Sequence, residues 1–394
     1  MDIAPEIIRK WIDPRAVTGL ATRLVALPSE NPPGREEGVA RLVGKFLHSA
    51  GLKVEYQSIE PRRSNLVARL DAGAAGSGPT LLLCGHSDTM PAAGGWTINP
   101  FSGKIIDGKL YGRGSADMKG GLAAMAVACA ALKRSKIPLK GSLVLAAVID
   151  EEAHGIGAQC LVESGLKADW AVIGEPTGNT PVIVSNGQIN FEFTLHGQAG
   201  HGSTPSSGHS AILDGIYLAN AILKYAEREL PGRSHPLVGP ASINIGTFCG
   251  GVQTSIIADT CTITVDRRVS PGETTGKAVR EMESILAEVR AEYPGLEATL
   301  SIPYCLPPVE ISEDEAVVGA LRRAAEVFTG KRPEPAGMRA TTDAATLAGS
   351  GGISTVVFGP GSIAQAHKPD EFIDVDELVN AAYIYAHTAV QLLT

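Results

Sequence analysis

Between residues 16 and 180 the apolar positions fall into two textures that alternate along the chain. Continuous runs, SNLVARL (64–70), TLLLCGH (80–86), GSLVLAAVID (141–150) and WAVIGE (170–175), read as strands buried on both faces. Between them, residues 36–50, GGLAAMAVACAALKRS (120–135) and GIGAQCLVES (155–164) carry apolar side chains at helical spacing. Strands of this kind, spaced by helices, predict an α/β architecture: a mainly parallel sheet with helices on both faces. In such sheets ligands gather at the carboxyl ends of the strands.

The texture changes after Pro181. INFEFTLHG (189–197) alternates with a period of two, a helix pattern follows at 209–229, then strands SINIGTF and TCTITVDRR, a helix at 274–291 and a strand LEATLSI. That order, β-α-β-β-α-β, predicts a ferredoxin-like α+β unit. From about residue 304 the first texture resumes with a helix at 314–328, the strand STVVFGP and a last helix at 376–392. The expectation is one discontinuous α/β domain over 1–180 and 304–394, interrupted by an insert over 181–303.

A chain of 394 residues exceeds the size at which one core normally keeps growing, and 44% hydrophobic residues suffice for two. The net charge of −8, with no cluster of Lys and Arg, speaks against a nucleic-acid partner. The opening MDIAPEIIRKWIDPRAV has no apolar run behind its charges. No later apolar segment reads as approaching the roughly 18 residues that cross a bilayer, so the expectation is a cytoplasmic protein without a membrane partner. Six cysteines lack any CxxC spacing, and most lie in apolar contexts, which reads as small buried hydrophobes rather than disulfides or a cysteine metal site. There is no GxxxxGK[ST], GxSxG or HExxH, and YGRGSAD lacks the third glycine of a dinucleotide fingerprint.

What the strands end on changes the picture. LVLAAVIDEE places Asp150, Glu151 and Glu152 side by side, and neighbouring carboxylates repel. They form either a solvated turn or a site for something cationic. The other strand ends deliver His86 and Asp88 from TLLLCGHSD, Asp117 from YGRGSADMKGG, Glu175 from AVIGEPT and, far downstream, His367 from VVFGPGSIAQAHKPDE. Two histidines among carboxylates make a mixed nitrogen and oxygen donor set, suited to Zn²⁺, Mn²⁺ or Co²⁺ rather than to Ca²⁺ or Mg²⁺. Two ions could share one bridging carboxylate and take one His and one further carboxylate each. Among the spare acids, Asp88 can accept the ring N–H of His86 and fix its tautomer, and Glu151 can take the proton of an attacking water.

The segments GHSDTMPA, GRGSADMKGG, DEEAHGIGA, IGEPT, GQAGHGSTP and GPGSIAQAHKPDE stand in an order that resembles the M20 family of metallopeptidases. That group contains acetylornithine deacetylase, succinyl-diaminopimelate desuccinylase, aminoacylase and glutamate carboxypeptidase. The resemblance spans nearly the whole chain and implies a two-metal site: His86 and Glu175 for one ion, Glu152 and His367 for the other, and Asp117 bridging. It implies Glu151 as general base and Asp88 as the residue orienting His86. Zn²⁺ is the first expectation for the two ions, with Mn²⁺ or Co²⁺ also suited. Asp150 is left with loop or helix-cap duty, and His154 and His196 with structural roles.

The resemblance further implies that the insert is a lid and dimerisation domain, making the protein a homodimer. His201, in GQAGHGSTP, matches a histidine that reaches the partner's active site in dimeric relatives. Arg268 matches an insert arginine that contacts a substrate carboxylate, with Asn244 as a further contact. RATTD (339–343), containing Thr342 and Asp343, occupies the place of a substrate-binding loop and differs from the sequence types of both the desuccinylases and the acetylornithine enzymes, while GPGSIAQAHKPDE looks closest to the acetylornithine deacetylase branch. The implied function is hydrolysis of the amide of a small N-acyl amino acid or related carboxylate-bearing substrate. Dipeptidase or carboxypeptidase action, or hydrolytic removal of an amine from a non-peptide substrate, would use the same site. A catalytically silent binding protein would have lost a ligand or the base, and none is lost.

Overall fold

The computed structural model describes residues 4–71 and 78–394, which divide into two compact units. The first comprises the described residues up to Ile183 together with Ile311–Ala336 and Thr342–Thr394; the second comprises Val184–Glu310 and Gly337–Thr341.

In the first unit the sheet runs in the order Lys53–Glu60, Arg63–Leu70, Ser142–Val148, Thr80–His86, Trp170–Ile173, Ser354–Val357. Its centre is parallel: Thr80–His86 pairs in parallel with Ser142–Val148 on one side and Trp170–Ile173 on the other, and Ser354–Val357 extends the parallel set. Six consecutive residues of Thr80–His86 and of Ser142–Val148 are buried. Side chains alternate between faces along a strand, so unbroken burial means that both faces are covered. SNLVARL departs from the parallel pattern, running antiparallel to Ser142–Val148. Lys53–Glu60 closes that edge as a hairpin partner. It escapes an apolar pattern search because no residue in it is buried.

The helix Gly120–Ser135 is buried without interruption from Gly120 to Leu132 and packs against Pro14–Val25 and Val375–Leu393. The helical stretch Ser115–Ser135 is in fact long and apolar enough to cross a membrane, contrary to the expectation that no segment comes near that length. It is buried up to Leu132, with only its last turn reaching the surface, so its apolarity is that of a core helix.

The second unit is an antiparallel sheet ordered Ser242–Gly250, Thr260–Val269, Gly187–His196, Glu297–Leu306. The helices Ala211–Glu229 and Thr275–Glu292 bury one of its faces. Ile189, Phe191, Phe193, Leu195, Ile263 and Val265 form a core with Leu218, Ile222, Met282 and Leu286. This is the ferredoxin-like arrangement. TCTITVDRR is internal to the sheet, and its neighbour Ser242–Gly250 forms an edge. Arg267 falls on the apolar face yet is fully buried, its Nη2 donating to Glu273 Oε1 at 2.7 Å. All six cysteines are free; Cys84, Cys129 and Cys261 are buried, whereas Cys249 and Cys305 are exposed.

Candidate metal centre

Parallel pairing brings the carboxyl ends of three strands together, since His86 stands opposite Val148 and Cys84 opposite Ile173. Past Val148 the chain turns sharply at Asp150, whose φ of 69° lies in the left-handed region and whose carbonyl accepts the N–H groups of His154 (3.1 Å) and Gly155 (2.6 Å). The turn presents Glu151 and Glu152 in succession. Asp150 itself is no solvated loop acid. It is buried, and its Oδ1 accepts from Asn31 Nδ2 (2.9 Å) and from Arg63 Nη2 (2.8 Å).

At the centre stands Asp117, whose two oxygens face different partners. Oδ1 lies 3.1 Å from His86 Nε2, and the same ring nitrogen is 3.6 Å from Glu175 Oε1. Oδ2 lies 3.3 Å from His367 Nε2, and that nitrogen is 3.0 Å from Glu152 Oε2. His86, Asp117 and Glu152 offer ligand atoms that all lie within 4.8 Å of one another. The five residues are thus brought together as two His–carboxylate pairs on either side of one shared carboxylate. His86, Asp117 and Glu175 are buried, while the His367 side chain, at φ 62°, is half exposed.

Asp88 is fully buried, but not in the arrangement expected for it. His86 Nδ1 lies 3.0 Å from the main-chain carbonyl of Asp88 and 3.6 Å from its carboxylate. The carbonyl therefore orients the ring. The carboxylate instead accepts the main-chain N–H groups of Glu151 (3.3 Å) and Glu152 (3.1 Å) and an N–H of Asn31 (3.0 Å).

Several of these supporting residues escaped the sequence reading. Asn31 joins the carboxylates of Asp88 and Asp150, and Arg63 pairs with Asp150 and Glu36. Glu371, fully buried, accepts from the N–H groups of Ala116 (2.9 Å), Asp117 (3.1 Å) and Gly114 (3.0 Å) and from Arg113 Nη1 (2.8 Å). The only signal for Glu371 was its place in the HKPDE segment.

Electrostatically the site is short of positive charge. Burial, reinforced by Glu175, Asp343 and Glu152, raises Glu151 well above the usual carboxylate range despite His86. Burial likewise pushes Glu175 up to about 7, where His86 opposes and Asp117 reinforces, and Asp343 up to about 8. Burial also works against the imidazolium of His86, yet Glu175 and Asp117 outweigh it and raise its pKa. Glu175 Oε1 is buried with no hydrogen-bond partner among the described residues. An orphaned buried acceptor, acids driven toward protonation and a mixed nitrogen and oxygen donor set fit a divalent cation.

Of the other expected site residues, Thr342 and Asp343 are buried in the first unit. Thr342 Oγ1 accepts from Ala344 N (3.2 Å), and the Asp343 carboxylate feels His86 and Glu175. The remaining three lie in the second unit. Arg268 donates to Asp266 Oδ2 (2.9 Å) and Asn244 is exposed on a polar groove of about 420 Å³ that also includes Asn190, Glu192 and Asp266. His201 is exposed, its Nδ1 2.7 Å from Ser203 Oγ.

Residues 82–391 match the peptidase family M20/M25/M40. The chain belongs to this family. It is 31% identical over 363 residues to the acetylornithine deacetylase of Proteus mirabilis, which covers 90% of each chain. The acetylornithine deacetylase of Erwinia tasmaniensis is 33% identical over 352 residues, 86% of each chain. Among solved structures, the Bacillus cereus aminopeptidase PepT superposes with a TM-score of 0.78 at 26% identity, covering 97% of this chain and 99% of that one. As a member of the M20 group, this chain is a metal-dependent hydrolase of amide or peptide bonds acting on small molecules.

Proposed function

We propose that the enzyme hydrolyses the amide of a small N-acyl amino acid or related carboxylate-bearing substrate, as an acetylornithine deacetylase-like amidohydrolase using two divalent ions. The observation that carries this reading is the division of Asp117 between the pairs His86/Glu175 and His367/Glu152. Those five residues would hold the ions, Zn²⁺ first, with Mn²⁺ or Co²⁺ also suited. Bound there, the ions would supply Lewis-acid activation of water and of the scissile carbonyl.

Glu151 has the chemistry of a general base. Its main-chain N–H is tied to Asp88, but its carboxylate makes no hydrogen bond among the described residues, leaving it free to act on a water. Its raised pKa suits a group that takes a proton from the attacking water and returns it to the leaving nitrogen. In the insert, Arg268 offers a guanidinium suited to a substrate carboxylate, with Asn244 on the same polar face, and in the catalytic unit Thr342 and Asp343 are the candidates for substrate contact. The insert acts as a lid.

The surface of the insert supports homodimerisation. The helix Ala211–Glu229 is apolar on two sides: Leu218 and Ile222 enter the core, whereas Leu213, Ile216 and Leu223 point outward, each about half exposed. The edge strand Ser242–Gly250 adds Phe248, and Val252 follows it, 83% exposed. A second copy would cover this face and bring His201 to the neighbouring site as an oxyanion donor.

The likeness to PepT favours one competing reading, aminopeptidase or dipeptidase action in the same site. A panel of N-acyl amino acids and dipeptides, assayed on chelated protein with Zn²⁺, Mn²⁺ or Co²⁺ returned, separates the two by product. Turnover of dipeptides alone overturns the deacylase assignment.

A further inference from the structure

Glu371 spends a fully buried carboxylate on four donors, yet in the reaction outlined above it touches nothing that reacts. Three of those donors are the main-chain N–H groups of Gly114, Ala116 and Asp117, and the fourth is the Arg113 guanidinium. The main chain of Glu371 joins in, its carbonyl accepting from Gly112 N at 2.9 Å. Directly after it, Phe372–Asp374 pairs antiparallel with Lys109–Tyr111, Phe372 standing opposite Tyr111. Residues 109–117 are therefore zipped to 371–374 from a strand pair at one end to a carboxylate cradle at the other.

The two segments that meet at the cradle end carry metal-centre residues. Asp117 is itself one of the amides that Glu371 holds, and His367 lies four residues upstream of Glu371 on the same loop. Asp370 ties that loop down further, accepting from Thr97 N and Oγ1 (2.9 and 2.8 Å) and from Ile98 N (3.1 Å). Segments 254 residues apart thus meet through one side chain. Main-chain amides around Asp117 have non-helical geometry and no regular ladder to satisfy them, so an acceptor must come from elsewhere.

We propose that Glu371 is a positioning residue that holds Asp117 and His367 in mutual register, so that one buried carboxylate sets the shared ligand and one flanking ligand of the metal centre together. This rests on the two-metal reading given above. A glutamine at 371 would keep the shape but turn an NH₂ toward groups that are themselves donors, either Arg113 and Gly114 or the amides of Ala116 and Asp117. The cradle then loses one of its two acceptor oxygens, and with it the partner of one donor pair.

The test uses the full chain, stripped of metal, with Mn²⁺ as the probe. Calorimetric titration gives stoichiometry and affinity, and thermal melting gives folding. Wild type should take up two ions; if it takes up none, the two-metal reading itself fails, whatever Glu371 does. Glu371→Gln should bind Mn²⁺ some 10- to 100-fold more weakly, the usual effect of losing a ligand's supporting partner. Glu273→Gln, which removes an equally buried ion pair of Arg267 in the insert, should lower the melting temperature while leaving Mn²⁺ affinity within twofold. A folded Glu371→Gln with wild-type stoichiometry and affinity overturns the proposal. Should that variant not fold, hydrogen exchange on wild type decides: Mn²⁺ should slow exchange in 112–119 and in 365–374 together, and protection of only one segment, or of neither, overturns it.

Discussion

The carboxylate of Asp88 accepts the main-chain N–H of Glu152 at 3.1 Å. With its other oxygen on Glu151 N, Asp88 holds the two acids of the turn by their backbone rather than by their side chains. An asparagine there offers one acceptor oxygen in place of two. Asp88→Asn is expected to cost 10- to 100-fold in both turnover and metal affinity, read by steady-state kinetics and chelator competition. Wild-type values in both would mean that the turn keeps its shape unaided.

Glu151→Gln separates base from ligand. Two ions should remain bound while turnover falls by roughly 10² to 10⁴. Loss of an ion along with activity, measured by elemental analysis of the purified variant, would move Glu151 into the ligand set.

Cation uptake should expel protons. With Glu175 near 7 and Asp343 near 8, both carboxyls are partly protonated at neutral pH in the metal-free protein. Apparent metal affinity should fall as pH drops through 7, and calorimetry in buffers of different ionisation enthalpy should report net proton release. The sign for stability follows. Groups with folded pKa values above their unfolded ones bind more protons in the native state, so metal-free protein loses stability as pH rises from about 5 to 8. Saturating metal should flatten that slope in thermal melts.

Ile216→Glu, which places a charge on the outward stripe of the Ala211–Glu229 helix, should convert a dimer to monomers in sedimentation velocity while leaving the circular dichroism spectrum unchanged. If His201 acts across that interface, mixing Glu151→Ala with His201→Ala chains should restore activity toward half of a wild-type site per pair. Confirmed subunit exchange without recovery would confine His201 to its own chain.

Much of this was legible in the sequence because the relevant signals are local. Continuous apolar runs marked the central strands, the switch to two-fold alternation after Pro181 marked the insert, and strand-end polar residues marked His86, Asp117, Glu152, Glu175 and His367. Apolar runs carry no strand direction, so the antiparallel course of Arg63–Leu70 was not visible. Lys53–Glu60 buries nothing and leaves no apolar signature. Asn31, Arg63 and Glu371 act on backbone groups and carboxylates far away in the chain, and no spacing rule links residue 117 to residue 371. The Asp88 carboxylate was expected on the His86 ring because the two lie close in sequence, but its nearest unsatisfied donors belong to the next strand's turn.

The helix Gly120–Ser135 carries a consequence for biosynthesis. One of its main neighbours, Val375–Leu393, is translated only after the insert, whose core closes among residues 189–298. At roughly 5–20 residues per second, a helix apolar over all but its last turn waits on the order of 10–50 s at the ribosome for its cover, while the insert can fold in the meantime. The nascent chain is therefore at its most vulnerable in its older half, and ribosome stalling or early termination anywhere before the final helix should yield aggregation or chaperone capture rather than a smaller active enzyme.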